Sequence, residues 1–159
     1  MTMNSDSAPQ AELIAQSELR QTLIRRHLLV GWGGLFLFIV LGLVLDILLA
    51  YKVSIYVRAD QEMFRLMWRL AHGHGTLLSL VHIGFCATIR TLHAPNFPQP
   101  AQVISRCLSA ATVLIPLGFF CGGLGATGGD PGALVFLVPA GSVLLLSAIG
   151  WLYLRLLAQ

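Results

Sequence analysis

Trp68 to Arg90, WRLAHGHGTLLSLVHIGFCATIR, is the stretch whose interpretation decides the fold. At a rise of ~1.5 Å per residue it reaches roughly 34 Å, enough to cross a hydrocarbon core of ~30 Å. Yet it carries three of the five histidines, His72, His74 and His82. At ~100° of turn per residue, Trp68, His72, Gly75, Ser79, His82 and Cys86 fall on one stripe. His74 points roughly the other way, and the rest of the surface is mostly Leu, Val, Ile and Phe. A polar group facing hydrocarbon costs free energy, so the stripe is expected to face protein and the apolar side to face lipid. Gly75 and Ser79 place two small side chains four residues apart, the spacing that lets helix backbones approach closely.

Three further apolar runs surround this one, at about 28–50, 103–124 and 133–157. Of the 159 residues, 56% are hydrophobic and 11% charged, against about 25% charged in a soluble domain. Mean hydropathy is +0.77. The expected fold is an all-α integral membrane protein, a four-transmembrane-helix bundle with spans at about 28–50, 68–90, 103–124 and 133–157. Residues 28–157 form that domain, and residues 1–27 precede it as a polar tail and short juxtamembrane helix. Ser7 and Gln10 have capping-box spacing near the start of that helix. The first apolar run follows Asp6, Glu12 and Glu18 and lacks a small-x-small cleavage site, so it is expected to remain as an anchor.

Net charge is +3, and nine of the ten basic residues are Arg. No nucleic-acid motif accompanies them, so they are assigned to helix ends against anionic lipid. With four spans, Arg20, Arg25, Arg26, Arg90, Arg106 and Arg155 share one side; Lys52, Arg58, Arg65 and Arg69 lie on the other. This bias predicts both termini on the cytoplasmic side, as in a bacterial inner (cytoplasmic) membrane.

The candidate cofactor-binding or proton-relay residues are His72, His82, Asp46 and Arg69. Asp46 lies about one turn from the outer end of span one, at the level of Arg65, Arg69 and His72, and is expected to pair with one of them. Asp60 is expected to N-cap the helix carrying span two, with Glu62 paired to Arg65. Gly75, Ser79, Gly118 and Gly122 are the helix-packing candidates. Pro116 frees the carbonyl of Thr112, and Ser105, Ser109 and Thr112 give span three a polar side. Asp130-Pro131-Gly132 reads as a tight outer turn or a helix start. Cys86, Cys107 and Cys121 are odd in number and not in a CxxC, so they read as buried thiols. No metal site is expected, because His74 faces away from His72 and Cys86 lies ~21 Å further along the axis.

No complete catalytic set is present: Ser79 with His82 lacks an orienting acid and an oxyanion donor. The leading expectation is therefore a structural or accessory subunit of a larger membrane assembly or homo-oligomer. Its partners would be the lipid bilayer and other membrane subunits or further copies, with no nucleic acid. A first alternative is a redox-complex subunit holding haem or quinone through span two. His72 and His82 are ~15 Å apart along one helix and cannot share an iron. Haem would thus need a second chain or a single axial ligand, whereas quinone needs one His and apolar walls. A second alternative is proton or ion conduction through Asp46, His72 and His82, since imidazole titrates near neutral pH.

Overall fold

The computed structural model describes residues 7–91, 98–127 and 129–157, apart from the side chains of 7–9, 59 and 98–100. Helix α1 (Ser7–Ala50) is followed by the single turn α2 (Ser54–Val57) and a 3₁₀ turn, Ala59–Gln61. Helix α3 (Glu62–Thr91), α4 (Pro98–Leu124), a second 3₁₀ turn (Ala133–Phe136) and α5 (Leu137–Leu157) complete the chain. Among the described residues there is no strand, only an isolated bridge between Thr127 and Asp130.

Three helices are long and apolar enough to cross a membrane: Gln10–Ala50, Ala101–Leu124 and Ala133–Leu157. Their outward faces carry exposed Leu29, Trp32, Phe36, Leu37, Val113, Leu117, Val143 and Leu146, the composition of a surface that meets lipid rather than water. Helix α3 is long enough, with 30 residues, but its histidines and arginines keep it out of that set.

No break separates a juxtamembrane helix from span one; α1 runs unbroken for 44 residues. Nothing between Gln10 and Ala50 is a proline, and each residue's amide finds its carbonyl one turn back. The helix ends at Lys52, which takes a left-handed φ of 50°. Val53 N donates to Leu48 O at 3.0 Å and Lys52 N to Leu49 O at 3.1 Å. That pair of bonds is a Schellman cap, with lysine where glycine is usual. The Ser7–Gln10 cap falls outside the described side chains. At the other end of the connection, Asp60 does not cap α3. It binds Arg58 at 2.9 Å, while Arg65 donates to the carbonyls of Tyr56 and Arg58 rather than pairing with Glu62.

The helices form a row. Helix α1 packs antiparallel on α3, α3 on α4, and α4 on α5; α1 and α5 do not touch among the described residues. The α1–α3 seam has a clear register. An added Cβ on Gly31 would meet Ile83 and Ser79, on Gly34 it would meet Ser79, on Gly42 His72, and on Gly75 Phe38. Glycine on one helix thus faces a larger side chain on the other, at steps of three and four residues, as in a knobs-into-holes seam.

Part of the apolar side of α3 faces protein instead of lipid. Met67, Leu78, Phe85 and Ile89 are buried, and Leu78 and Phe85 pack with Ile104, Leu108, Ala111 and Ile115 of α4. Helix α3 has neighbours on two sides, so its periodicity marks two interfaces, and the remaining strip along Leu66, Gly73, Leu77, Leu80, Gly84 and Ala87 is exposed. Gly118 and Gly122 of α4 receive Val138 and Val135. Gly125 and Gly132 bring their backbones together in the outer turn, where Gly132 N donates to Gly122 O at 2.8 Å.

Candidate functional site

The most polar part of the interior lies where α1, α3 and α4 meet. His27, Ser79, His82 and Ser105 are buried there. His27 was expected outside the bilayer beside Arg25 and Arg26. Instead it sits in the seam, because the next step along α1 from Gly34 and Gly31 is residue 27. Arg25 and Arg26 are exposed, since one or two residues of turn carry them to the far face. Helices α1 and α3 therefore each contribute a histidine to one layer.

The hydrogen bonds of that layer form a chain. His27 Nε2 lies 2.7 Å from Ser105 Oγ, the two Nδ1 atoms of His27 and His82 are 2.5 Å apart, and His82 Nε2 is 2.9 Å from Thr112 Oγ1. Thr112 donates its one hydroxyl proton to Leu108 O at 2.8 Å. That commitment assigns the rest. Thr112 must accept from His82 Nε2–H, so His82 Nδ1 is the acceptor. His27 Nδ1–H then donates to it, which leaves His27 Nε2 as acceptor of the Ser105 hydroxyl. Two neutral imidazoles satisfy every bond, and the donors all point from Ser105 toward Thr112. The imidazole rings are stacked with centroids 4.6 Å apart, and Phe85 closes His27 edge-on at 4.7 Å. Ser109 Oγ, between Ser105 and Thr112 in sequence, is buried without a partner.

Thr112 has a second neighbourhood. With Pro116, Leu117 and Phe120 it forms one wall of a groove of about 690 Å³, whose other wall is α1 from Leu29 to Leu41 and whose lining includes Ala71. The groove is almost wholly apolar. Its size falls within the range of small-molecule sites, about 300–1,000 Å³. A smaller groove of about 300 Å³ lies between α3 and α5.

No protein-family model, curated protein or solved structure matches this chain. The site is therefore argued from its own chemistry.

Asp46, Arg69 and His72 do come together, in an outer pocket of about 190 Å³ with Gly42, Leu45, Leu49 and Tyr56. The expected ion pair is absent: among the described residues the salt bridge is Arg58–Asp60, and Asp46 shares a cavity with Arg69 and His72 rather than a bond. His72 Nδ1 donates to Phe38 O at 2.7 Å. His82 is not in this pocket. Phe38 packs against Gly75 between the two levels, so the line from Asp46 through His72 to His82 is interrupted by an apolar layer.

His74 faces α4, its ring 4.8 Å from Phe119, with Nδ1 donating to Leu70 O. His93 lies outside the described residues. Cys86 Sγ reaches Ile24 O at 3.4 Å, and the three cysteines are free. No group of three or more metal-ligating side chains gathers among the described residues. Two signals in the sequence pointed to His27. The glycines at 31, 34 and 42 trace the seam, and one further step of four lands on it. Ser105 and Thr112, seven residues apart on α4, likewise mark one face.

Proposed function

We propose that this chain is a four-span membrane subunit that binds a lipophilic molecule of the quinone class in the α1–α4 groove. The His27–His82 chain presents Thr112 to that molecule as a hydrogen-bond partner. One observation carries this reading: the hydrogen-bonded chain ends on Thr112, and Thr112 is also part of the groove wall. Ser105 lies seven residues nearer the inner end of α4, so the chain covers ~10 Å along the helix axis. Its donors point toward Thr112, and binding a ligand carbonyl requires the Thr112 proton to turn from Leu108 O to the ligand. Thr112 Oγ1 keeps a lone pair for a hydroxyl of the reduced form. Against haem weighs the engagement of all four nitrogens of His27 and His82, and the pocket beside His72, about 190 Å³, is small for a porphyrin.

The reading requires α3 to cross the bilayer with the other three helices. In support, its ionisable groups lie at its ends or turn toward neighbours, as polar groups in a span do. The arginine bias supports cytoplasmic termini in a bacterial inner membrane. The test uses Trp68, which stacks on Phe120 of the groove wall with centroids 4.5 Å apart. In a Trp32→Phe, Trp151→Phe background, a short-chain ubiquinone should quench Trp68 saturably. Thr112→Val should weaken that quenching several-fold without loss of fold. Quenching that rises linearly with quinone and ignores Thr112 would refute the proposal.

The open row favours a second reading, a subunit packed against other membrane proteins or further copies along its two edges. Helices α1 and α5 leave their outer faces uncovered. The native mass of the detergent-extracted complex tests it: a lone 17.2 kDa chain would count against it.

A further inference from the structure

The outer pocket carries a ligand preference independent of the groove. Its lining offers two donors and two acceptors. Arg69 supplies a guanidinium. Tyr56 is 1% exposed, lines the pocket, and its hydroxyl makes no hydrogen bond in the described structure. Its position is held from behind by Arg65, which donates to the Tyr56 carbonyl at 2.9 Å. Asp46, exposed at the pocket's rim, supplies a carboxylate that forms no ion pair among the described residues. His72 spends Nδ1–H on Phe38 O, so its Nε2 is an acceptor. The imidazole has room only because residue 42 is glycine; the Cβ of any other residue there would run into that ring.

A simple anion would leave Asp46 opposed, and a simple cation would leave Arg69 opposed. A zwitterion with an oxyanion at one end and a primary ammonium at the other satisfies both. We propose that this pocket binds the headgroup of phosphatidylethanolamine, phosphate on Arg69 and Tyr56, ammonium on Asp46 and His72. The lipid is the source, not a soluble zwitterion, because of where the pocket lies. Asp46 is four residues, ~6 Å, from the end of a membrane-crossing helix, where headgroups sit. Gly42, Leu45 and Leu49 complete the lining. A choline headgroup fits worse: its quaternary nitrogen donates no hydrogen bond to Asp46 or His72.

The whole protein in nanodiscs tests this. Discs contain phosphatidylcholine alone, or with phosphatidylethanolamine, its mono- and dimethylated forms, or phosphatidylglycerol. Native mass spectrometry reads retained lipid, and a thermal melt reads stabilisation. One phosphatidylethanolamine should be retained per chain, with retention falling stepwise on N-methylation. Asp46→Asn and Arg69→Gln should each weaken it about tenfold or more, the scale of a lost charge-assisted bond, and Tyr56→Phe should weaken it less. Both charge variants should melt as wild type does in phosphatidylcholine alone, which separates lost binding from lost fold. Equal retention of all lipids, or retention unchanged in Asp46→Asn, would overturn the proposal. Equal stabilisation by free phosphoethanolamine would overturn the lipid as source. None of these variants touches the groove, so the Trp68 titration stands or fails separately.

Discussion

The α1–α3 seam makes opposite demands on glycines only two residues apart. A Cβ on Gly31 would lie 2.7 Å from Ile83 Cγ1 and 3.1 Å from the Ser79 carbonyl, whereas a Cβ on Gly33 meets nothing within 4 Å. Carbon atoms pack at about 3.5–4.0 Å. Gly31→Ala therefore forces the helices apart by several tenths of an ångström at a contact that includes backbone. Overpacking of this kind costs about 1–3 kcal/mol, partly offset by the better helix propensity of Ala, about 1 kcal/mol. The net loss of up to about 2 kcal/mol lowers the folding equilibrium by up to roughly 30-fold. Gly33→Ala keeps only the propensity gain and should be neutral or slightly stabilising. Reversible unfolding in mixed micelles of dodecyl maltoside and dodecyl sulfate, followed by circular dichroism, measures both. Because His82 neighbours Ile83, the Gly31 variant should also loosen the His27–His82 contact, seen as altered imidazole nitrogen shifts in solid-state NMR. Equal effects of the two substitutions would refute the seam and the juxtaposition of histidines that it produces.

Other changes follow from the same geometry. In a double-mutant cycle, His27→Ala and His82→Ala should couple by about 0.6–1.7 kcal/mol, the range for hydrogen bonds between membrane helices; additive effects in the same micelle assay would contradict the direct contact. Arg20 donates to the carbonyls of Ile89 and Arg90 at the end of α3, at 2.8 and 2.9 Å. Arg20→Gln should fray that end, raising hydrogen exchange there before elsewhere. Lys52→Gly should stabilise by roughly 1 kcal/mol, because it relieves the left-handed conformation at the α1 cap, and the unfolding midpoint reports it. Gly132→Ala should destabilise by about 1–3 kcal/mol, since its Cβ would lie 2.7 Å from Gly125 Cα, backbone that cannot rotate away.

The helical, membrane-embedded character was legible from length and hydropathy alone. So was the small-residue stripe of α3, because periodicity reports which residues share a face. What periodicity cannot report is how many faces are covered. The cost of a polar group in hydrocarbon sends the apolar side of α3 to lipid, yet only the strip along Leu66, Leu77 and Leu80 is exposed, because Leu78, Phe85 and Ile89 are covered by neighbouring helices. His27 was lost for a related reason. Span one was begun at Leu28, where the apolar run starts, yet a helix has no reason to break there, and Arg25 and Arg26 say nothing about the facing of the residue beside them. Asp46 shares the level of Arg69 and His72 and lies in one pocket with them, but the expected pairing is absent, because a carboxylate near the interface stays solvated without a cation.

The low hydropathy of α3 and its position in the row are two views of the same physics. A helix facing lipid on most sides must be apolar on most sides, as α1 and α5 are. A helix flanked by protein on two sides is free to carry imidazole and hydroxyl groups, provided each finds a partner. His82 meets that condition only because His27 comes from one neighbour and Thr112 from the other. Removing either neighbour would leave a buried imidazole nitrogen without its bond, at a cost of about 1–3 kcal/mol. The polar chain therefore fixes the order of the helices. The same contacts that make α3 the least apolar helix make it the one that α1 and α4 are built to hold.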